Sequence, residues 1–157
     1  MTVNITNCYN YGEVKGHRVG GILGHSYYVD SVISNCLNNG SIYGYQYAGG
    51  ILGWGPQIAI TDCVNFGYLS SSMIKGHISG YNYTGTHTNC YYSYQSGTYS
   101  DADTSGVTQT SLNITDTELY KDYLYWDLFT LTNTDGIWVV DGTNNPYLAW
   151  EIINIIE

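Results

Sequence analysis

Basic residues are the scarcest class in this sequence. The 157 residues include four lysines and arginines against 13 aspartates and glutamates, which gives a formal net charge of -9 at pH 7. From residue 99 onward Lys121 is the one basic residue beside ten carboxylates, so the acidic excess lies in the C-terminal third. This excess argues against binding a polyanion, and we expect no nucleic-acid partner.

Long apolar runs and proline are also lacking. No stretch of about 18 apolar residues is present to span a bilayer, so we expect no membrane insertion. The N-terminus lacks a basic segment followed by an apolar one, so no signal peptide is predicted within this chain. Glycine (19) and tyrosine (18) are abundant and helix formers are few, which favours strands joined by tight turns and predicts an all-β protein.

A sequence unit of 27 or 28 residues recurs along the chain. Its markers are four cysteines spaced 28, 27 and 27 residues apart: Cys8, Cys36, Cys63 and Cys90. Their contexts read ITNCYNYG, ISNCLNNG, ITDCVNFG and a shortened HTNCYYSY. A unit this short cannot bury its own apolar face and must stack on its copies.

The repeat predicts a right-handed parallel β-solenoid of about three coils over residues 1–98. Residues 99–157 are predicted to form a C-terminal cap packed on the last coil, in the same domain. Thr115 and Glu118 fit a capping box that begins a short helix ending near Tyr123. Turn signals at residues 134–136 and 141–145 predict one or two hairpins, with large apolar surfaces supplied by Trp126, Phe129, Trp138 and Trp150.

In-register stacking assigns roles to the repeated positions. We expect the cysteines to form a buried ladder of reduced thiols, because side chains about 4.8 Å apart are too distant for a favourable disulfide and no CxxC pair indicates zinc. The amides of Asn10, Asn38 and Asn65 are predicted to form a hydrogen-bonded ladder. The glycine two residues after each of these asparagines is predicted to adopt a positive φ.

The glycine motif GILG occurs at residues 21–24 and 50–53, each time after a C-x-N-x-G block. Together with CYY at 90–92, TSG at 104–106 and NPYLAW at 145–150, it resembles the GLUG-motif repeat family of bacterial surface and secreted proteins. The resemblance implies an extracellular, non-catalytic segment of adhesins or of the ectodomains of immunoglobulin A peptidase-like proteins. It implies no catalytic residue. The third unit reads ISGYNY where the motif should follow, so we expect an irregular coil there.

The start of the chain indicates what lies beyond it. Met1 begins a few residues before the first repeat block and leaves TVNIT as an uncovered edge strand, which natural solenoids cap. We therefore expect this chain to be part of a longer protein with further repeats upstream.

Aromatic side chains near the glycine motifs are the candidate binding residues. They flank the two best-preserved units and are Tyr27, Tyr28, Tyr45, Tyr47 and Trp54. Stacking would bring Tyr45 and Trp54 beside His17 and His25 on one side of the solenoid. Such a surface suits a host-surface protein or a planar sugar face, so adhesion, a structural or interaction stalk and glycan binding all stay open. The alternative is that most of these tyrosines only cover turns.

Catalysis and metal binding have little support in the sequence. A remnant of a polysaccharide-degrading β-helix enzyme is the third function considered, but carboxylates are sparse in the repeats and the four histidines are predicted to be surface or loop residues. Oxygen donors at Asp101, Asp103 and Ser105 resemble the start of a calcium loop. The twelfth position is Leu112 rather than glutamate, so a solvated loop without a cofactor is predicted.

Overall fold

The computed structural model describes residues 2–93, 107–110, 118–124, 126, 136–143 and 145–148. The chain divides into two compact units, Met1–Ser111 and Leu112–Glu157. The repeats fall in the first unit, and the two units are described separately below.

The first unit consists of successive coils, each built from short strands. The first coil contains β1 (Asn4–Thr6), β2 (Tyr9–Asn10), β3 (Val14–Gly20) and β4 (Leu23–His25). The second contains β5 (Ser31–Ser34), β6 (Leu37–Asn38), β7 (Ile42–Gly49) and β8 (Leu52–Pro56). The third contains β9 (Ile58–Thr61), β10 (Val64–Asn65), β11 (Leu69–Ser71), β12 (Ile74–Gly76) and β13 (Ser79–Tyr83). There follow β14 (Thr86–Thr88), β15 (Cys90–Ser93) and β16 (Val107–Thr110).

Equivalent strands of neighbouring coils pair in parallel and form four sheets along the axis. The strand orders are β1-β5-β9-β14, then β2-β6-β10-β15-β16, then β3-β7 with both β11 and β12, and finally β4-β8-β13. The repeat register is kept, since Ile5 pairs with Ile33 and Ile33 with Ile60. The predicted parallel β-solenoid of about three coils is therefore confirmed. Pairing of β15 with β16 extends the second sheet beyond residue 98.

The core lies inside the coils and is built from the repeated positions. Ile33, Cys36, Ile60 and Cys63 have no solvent-exposed surface. Their first-coil equivalents, including Cys8, are only partly buried because they have a neighbouring coil on one side instead of two. A core side chain in this fold is thus fully buried only when coils stack on both sides of its own coil.

The tight corners of the coil do not fall at the glycines, and the prediction of positive φ there is wrong. One set of left-handed residues lies just before each cysteine, with φ of 54° at Asn7, 52° at Asn35, 51° at Asp62 and 50° at Asn89. A second set lies shortly before β5, β9 and β14, with φ of 56° at Asp30, 49° at Gln57 and 56° at Thr84. Asn and Asp tolerate this conformation better than most residues. The glycine at position 40 serves close approach instead, since a Cβ there would overlap the Gly12 carbonyl oxygen of the preceding coil.

The third coil is irregular, but not at the position that the sequence indicated. Strand β13, which contains the divergent motif, pairs in register with β8 through Ser79 opposite Leu52 and Tyr81 opposite Trp54. The irregularity lies earlier, where β11 and β12 pair with one continuous strand β7 and residues 72–73 between them are not in a strand. The fourth sheet therefore continues through the third coil.

The described cysteines form the predicted ladder of free thiols. Cys36, Cys63 and Cys90 are buried and Cys8 is partly buried. Each thiol donates to the carbonyl two residues earlier, at 3.0 Å for Cys36 and 3.1 Å for Cys63. Burial raises the pKa of Cys8 and raises that of Cys63 well above its ordinary value. Hydrogen bonding, chiefly with Cys63, lowers the pKa of Cys36 instead. The raised pKa values of Cys8 and Cys63 keep these two thiols protonated at neutral pH.

We expect thiol titration of the native protein to detect slow reaction at Cys8 and almost none at the three buried cysteines, because only the first coil leaves its thiol partly open. In denaturant all four thiols should react. Cys8→Ser should abolish the slow native reaction and leave three in denaturant. Fewer than four thiols in the denatured wild-type protein would indicate disulfides and contradict the ladder.

The second unit contains a short helix and an antiparallel hairpin. The helix is of π type over Leu119–Tyr123, and Glu118 precedes it without a side-chain capping bond. Strands β17 (Trp138–Val139) and β18 (Tyr147–Leu148) form the hairpin, as the turn signal at 141–145 predicted. Within the described residues no helix is long and apolar enough to cross a membrane.

A small aromatic cluster fills the second unit. Trp126 stacks on Trp138 with ring centroids 4.4 Å apart, and Tyr120 lies 4.8 Å from Trp126. All three side chains are buried. The described residues do not include Thr115, Phe129, residues 134–135, Trp150 or the loop at 101–106, which was predicted to be solvated and without calcium. Packing of this unit on the last coil stays a prediction.

Candidate functional site: an aromatic strip

A row of aromatic side chains runs along the fourth sheet, parallel to the solenoid axis. His25 of β4 and Tyr81 of β13 both pair in register with Trp54 of β8. The ring centroids lie 4.8 Å apart for His25 and Trp54 and 5.9 Å apart for Trp54 and Tyr81. Because the coils stack in parallel, one aromatic position per coil becomes a continuous row.

Three further tyrosines widen this row. Tyr27 lies 4.3 Å from His25, Tyr83 lies 6.5 Å from Tyr81, and Tyr47 of β7 lies 5.7 Å from Tyr81. Tyr27 and Tyr83 are 74% and 65% exposed. The planes of Trp54 and Tyr81 differ by 6° and those of Tyr81 and Tyr83 by 10°, so three rings share one orientation.

A single arginine lies within this group. The guanidinium of Arg18 is 5.2 Å from the Trp54 ring centroid and 5.9 Å from that of Tyr47. Its Nε donates to Gln46 Oε1 at 3.3 Å, and its Nη1 is 3.1 Å from His25 Nε2. We use the name aromatic strip for seven residues: Arg18, His25, Tyr27, Tyr47, Trp54, Tyr81 and Tyr83.

The contact with Arg18 determines the state of His25. A guanidinium has only donors, so His25 Nε2 must accept and the ring must be neutral with its proton on Nδ1. Burial lowers the pKa of His25, and the nearby Arg18 charge lowers it further. The neutral imidazole therefore anchors the arginine at neutral pH.

We expect an NMR titration to give His25 a pKa below its ordinary value of about 6.5. Arg18→Gln should raise this pKa part of the way, because the burial effect remains. The pKa is lower in the folded than in the unfolded chain, so this group's contribution to stability is present above about pH 6.5 and is lost as the pH falls through the folded-state pKa. A His25 pKa at or above 6.5 that does not change in Arg18→Gln would contradict the contact between Arg18 and His25.

The structure separates the five residues predicted from the sequence. Tyr27, Tyr47 and Trp54 belong to the aromatic strip, as described above. Tyr45 is 63% exposed and pairs with His17 at 5.4 Å, and no described contact links it to the strip. Tyr28 is 47% exposed and lines a cleft of about 390 Å³ with Tyr27 and Val3.

The sequence-based prediction missed three members of the strip: Arg18, Tyr81 and Tyr83. A signal for Tyr81 was present, because it lies 27 residues after Trp54, the same interval that separates Cys36 from Cys63. Nothing comparable marked Arg18. Its place beside Trp54 depends on the register shift between Gly16 and Arg18 in the pairing of β3 with β7.

Two of the histidines predicted to be surface or loop residues are buried. The prediction is wrong for His87, which lies within strand β14, whereas His77 lies in the connection between β12 and β13. His87 occupies the ladder position of Ile60 in the next coil and contacts Ser79 Oγ at 3.2 Å, and His77 stacks on Tyr92 at 3.7 Å. Ser79 is fully buried, so this serine and histidine pair is closed to a substrate. Among the residues that the structure describes, no group of three or more His, Cys, Asp or Glu side chains is placed to hold a metal ion.

Fold and site together define a class, a parallel β-solenoid with an aromatic strip along one sheet. Comparison with protein-family models, with curated proteins and with solved structures finds no match to this chain. The resemblance to GLUG-motif repeats therefore stays a prediction that rests on the motifs of the sequence.

Proposed function

We propose that this chain is a non-catalytic repeat module of a bacterial surface or secreted protein, that it works outside the cell, and that it acts in adhesion through the aromatic strip. The observation that carries the proposal is the strip itself, in which partly exposed rings from three coils adjoin one arginine. Tyrosine, tryptophan and arginine dominate the energetics of binding surfaces, since they offer large contact areas at small entropic cost.

The repeat architecture supports this assignment. Buried isoleucine, cysteine and asparagine ladders hold the coils rigidly, so the strip is preorganised before a partner arrives. A solenoid also presents an extended lateral surface, which suits attachment more than the enclosed pocket that catalysis needs.

An adhesion assay with strip variants tests the proposal. We expect beads coated with wild-type protein to bind members of a host-cell and glycan panel, and the double variant Trp54→Ala, Tyr81→Ala to lose at least about tenfold in binding, as for two central aromatic contacts. Tyr68→Ala is the matched control, because Tyr68 is 52% exposed and contacts Tyr43, outside the strip. Equal binding by the folded double variant and the control would refute the proposal.

Glycan binding is the second candidate function, and one observation favours it. Trp54, Tyr81 and Tyr83 have near-parallel ring planes at similar centroid distances of 5.9 and 6.5 Å, and this regular series suits a repeating ligand better than an irregular protein epitope. Retention on the glycan part of the panel, with loss in the double variant, would support it.

A further inference from the structure

We infer that the aromatic strip binds a saccharide that carries carboxylate groups, and that Arg18 binds the carboxylate. This inference rests on the proposed function, because it names the ligand class of the same strip. The proposed function requires only contact with the aromatic rings, whereas this inference adds a carboxylate on the ligand that binds Arg18.

Arg18 has unused hydrogen-bonding capacity. A guanidinium carries five N–H donors, and the contacts with Gln46 and His25 use two of them, at Nε and Nη1. Within the described part of the chain no carboxylate forms an ion pair with Arg18. Glu13, which directly precedes strand β3, pairs with Lys15 at 2.6 Å. Among the residues that the structure describes, the other three donors of Arg18 have no partner, and we assign them to the ligand.

The geometry around Arg18 favours a planar anion. Gln46 and His25 fix the guanidinium in one orientation, and the rings of Trp54 and Tyr47 lie beside it. A planar fork held in this way matches the two oxygens of a carboxylate. The acidic excess that argues against a polyanionic partner comes from the ten carboxylates after residue 98. Residues 1–98, which include Arg18, have three carboxylates and three basic residues and so carry no net charge.

The rings next to Arg18 indicate that the anion belongs to a saccharide. The Trp54 and Tyr81 rings come from neighbouring coils, are nearly parallel and have centroids 5.9 Å apart, so the same aromatic group recurs from coil to coil as sugar units recur along a chain. A sugar chain lying along the strip could contact successive rings while one of its carboxylates meets Arg18. An acidic peptide would meet the arginine but would gain less from parallel rings.

The test compares an oligogalacturonate with its methyl ester, which has the same sugar chain without the negative charges. We expect wild-type protein to bind the acid and to bind the ester at least about tenfold more weakly, since a charge-assisted pair of hydrogen bonds is lost. Arg18→Gln should lower affinity for the acid by a similar factor. Lys15→Gln is the matched control, because it removes one positive charge from the same strand, β3, and should change binding little.

The outcomes distinguish failure of the carboxylate inference, of the saccharide inference and of the proposed function. Equal binding of acid and ester, unaffected by Arg18→Gln, would overturn the carboxylate inference and leave the strip as a neutral glycan site. Binding of neither saccharide, with cell adhesion still lost in Trp54→Ala, Tyr81→Ala, would overturn the saccharide inference but not the proposed function. If Arg18→Gln fails to fold, Arg18→Lys serves, since it keeps the charge without the fork and should still bind the acid more weakly than wild type.

Discussion

Gly40→Ala is expected to destabilise the protein by about 3 kcal/mol or more. A Cβ at Gly40 would overlap the carbonyl oxygen of Gly12 and the side-chain amide of Asn10, both in the preceding coil. Neither group can move away, because Gly12 N donates to the Asn10 amide oxygen at 3.0 Å and Asn10 also bonds Asn38 at 2.8 Å. The overlap therefore forces the first two coils apart. Chemical denaturation of both proteins measures the loss.

Gly12→Ala is the matched control for this effect. Gly12 occupies the same position of the first coil, and the nearest atom to a Cβ there would be Asn10 Oδ1 at 3.5 Å, which is ordinary contact. We expect a change within about 0.5 kcal/mol. Gly67→Ala in the third coil should behave like Gly40→Ala, since its Cβ would overlap the Gly40 carbonyl oxygen. Equal tolerance of alanine at all three positions would contradict the close stacking of the coils.

Asn38→Ala is expected to cost about 3 to 5 kcal/mol. The Asn38 side chain is fully buried and joins four hydrogen bonds, with Asn10 and Asn65 at 2.8 Å each and with the Gly40 backbone N–H at 3.2 Å and carbonyl at 3.1 Å. Alanine would leave a cavity and remove a hydrogen-bond partner from the buried Asn65 and Gly40 and from the partly exposed Asn10. Thermal or chemical unfolding measures the change.

Two variants separate the causes of that loss. Asn10→Ala removes the partly exposed end of the same ladder and should cost about 1 kcal/mol, because water can replace its partners. Asn38→Asp keeps the volume but replaces the donor with an acceptor that faces Gly40 O and Asn65 Oδ1, so it should destabilise although it makes no cavity. If Asn38→Ala costs no more than Asn10→Ala, the ladder does not stabilise the core.

The sequence predicted the features that stacking repeats in every coil. The cysteine interval gave the register, and Ile5, Ile33 and Ile60 occupy equivalent places as that interval requires. The asparagine ladder was predictable for the same reason, since a buried amide must find partners and its neighbours in adjacent coils are identical amides. At a position that recurs in every repeat, the neighbours of a side chain are therefore the equivalent residues of the adjacent coils, and the sequence shows what they are.

Features that depend on differences between coils were not predictable in the same way. Arg18 reaches Trp54 through a register shift within one pair of strands, and no spacing in the sequence shows that shift. The burial of His87 depends on its taking an isoleucine position above Ile60 and meeting the Ser79 hydroxyl. The positive φ values were placed at glycine because glycine tolerates them at least cost, whereas the corners are formed by Asn7, Asn35 and their equivalents.

The central claim is that in-register stacking assembles the aromatic strip from separate coils. An NMR measurement of through-space contacts to the Trp54 ring tests it most directly, because His25 and Tyr81 are distant from Trp54 in sequence and lie on its two opposite sides. With centroids 4.8 Å and 5.9 Å away, both rings should give cross-peaks with the indole of Trp54. Trp54→Phe identifies that indole among the four tryptophans. Cross-peaks from Trp54 to both His25 and Tyr81 are the predicted result, and their absence in folded protein would contradict the account.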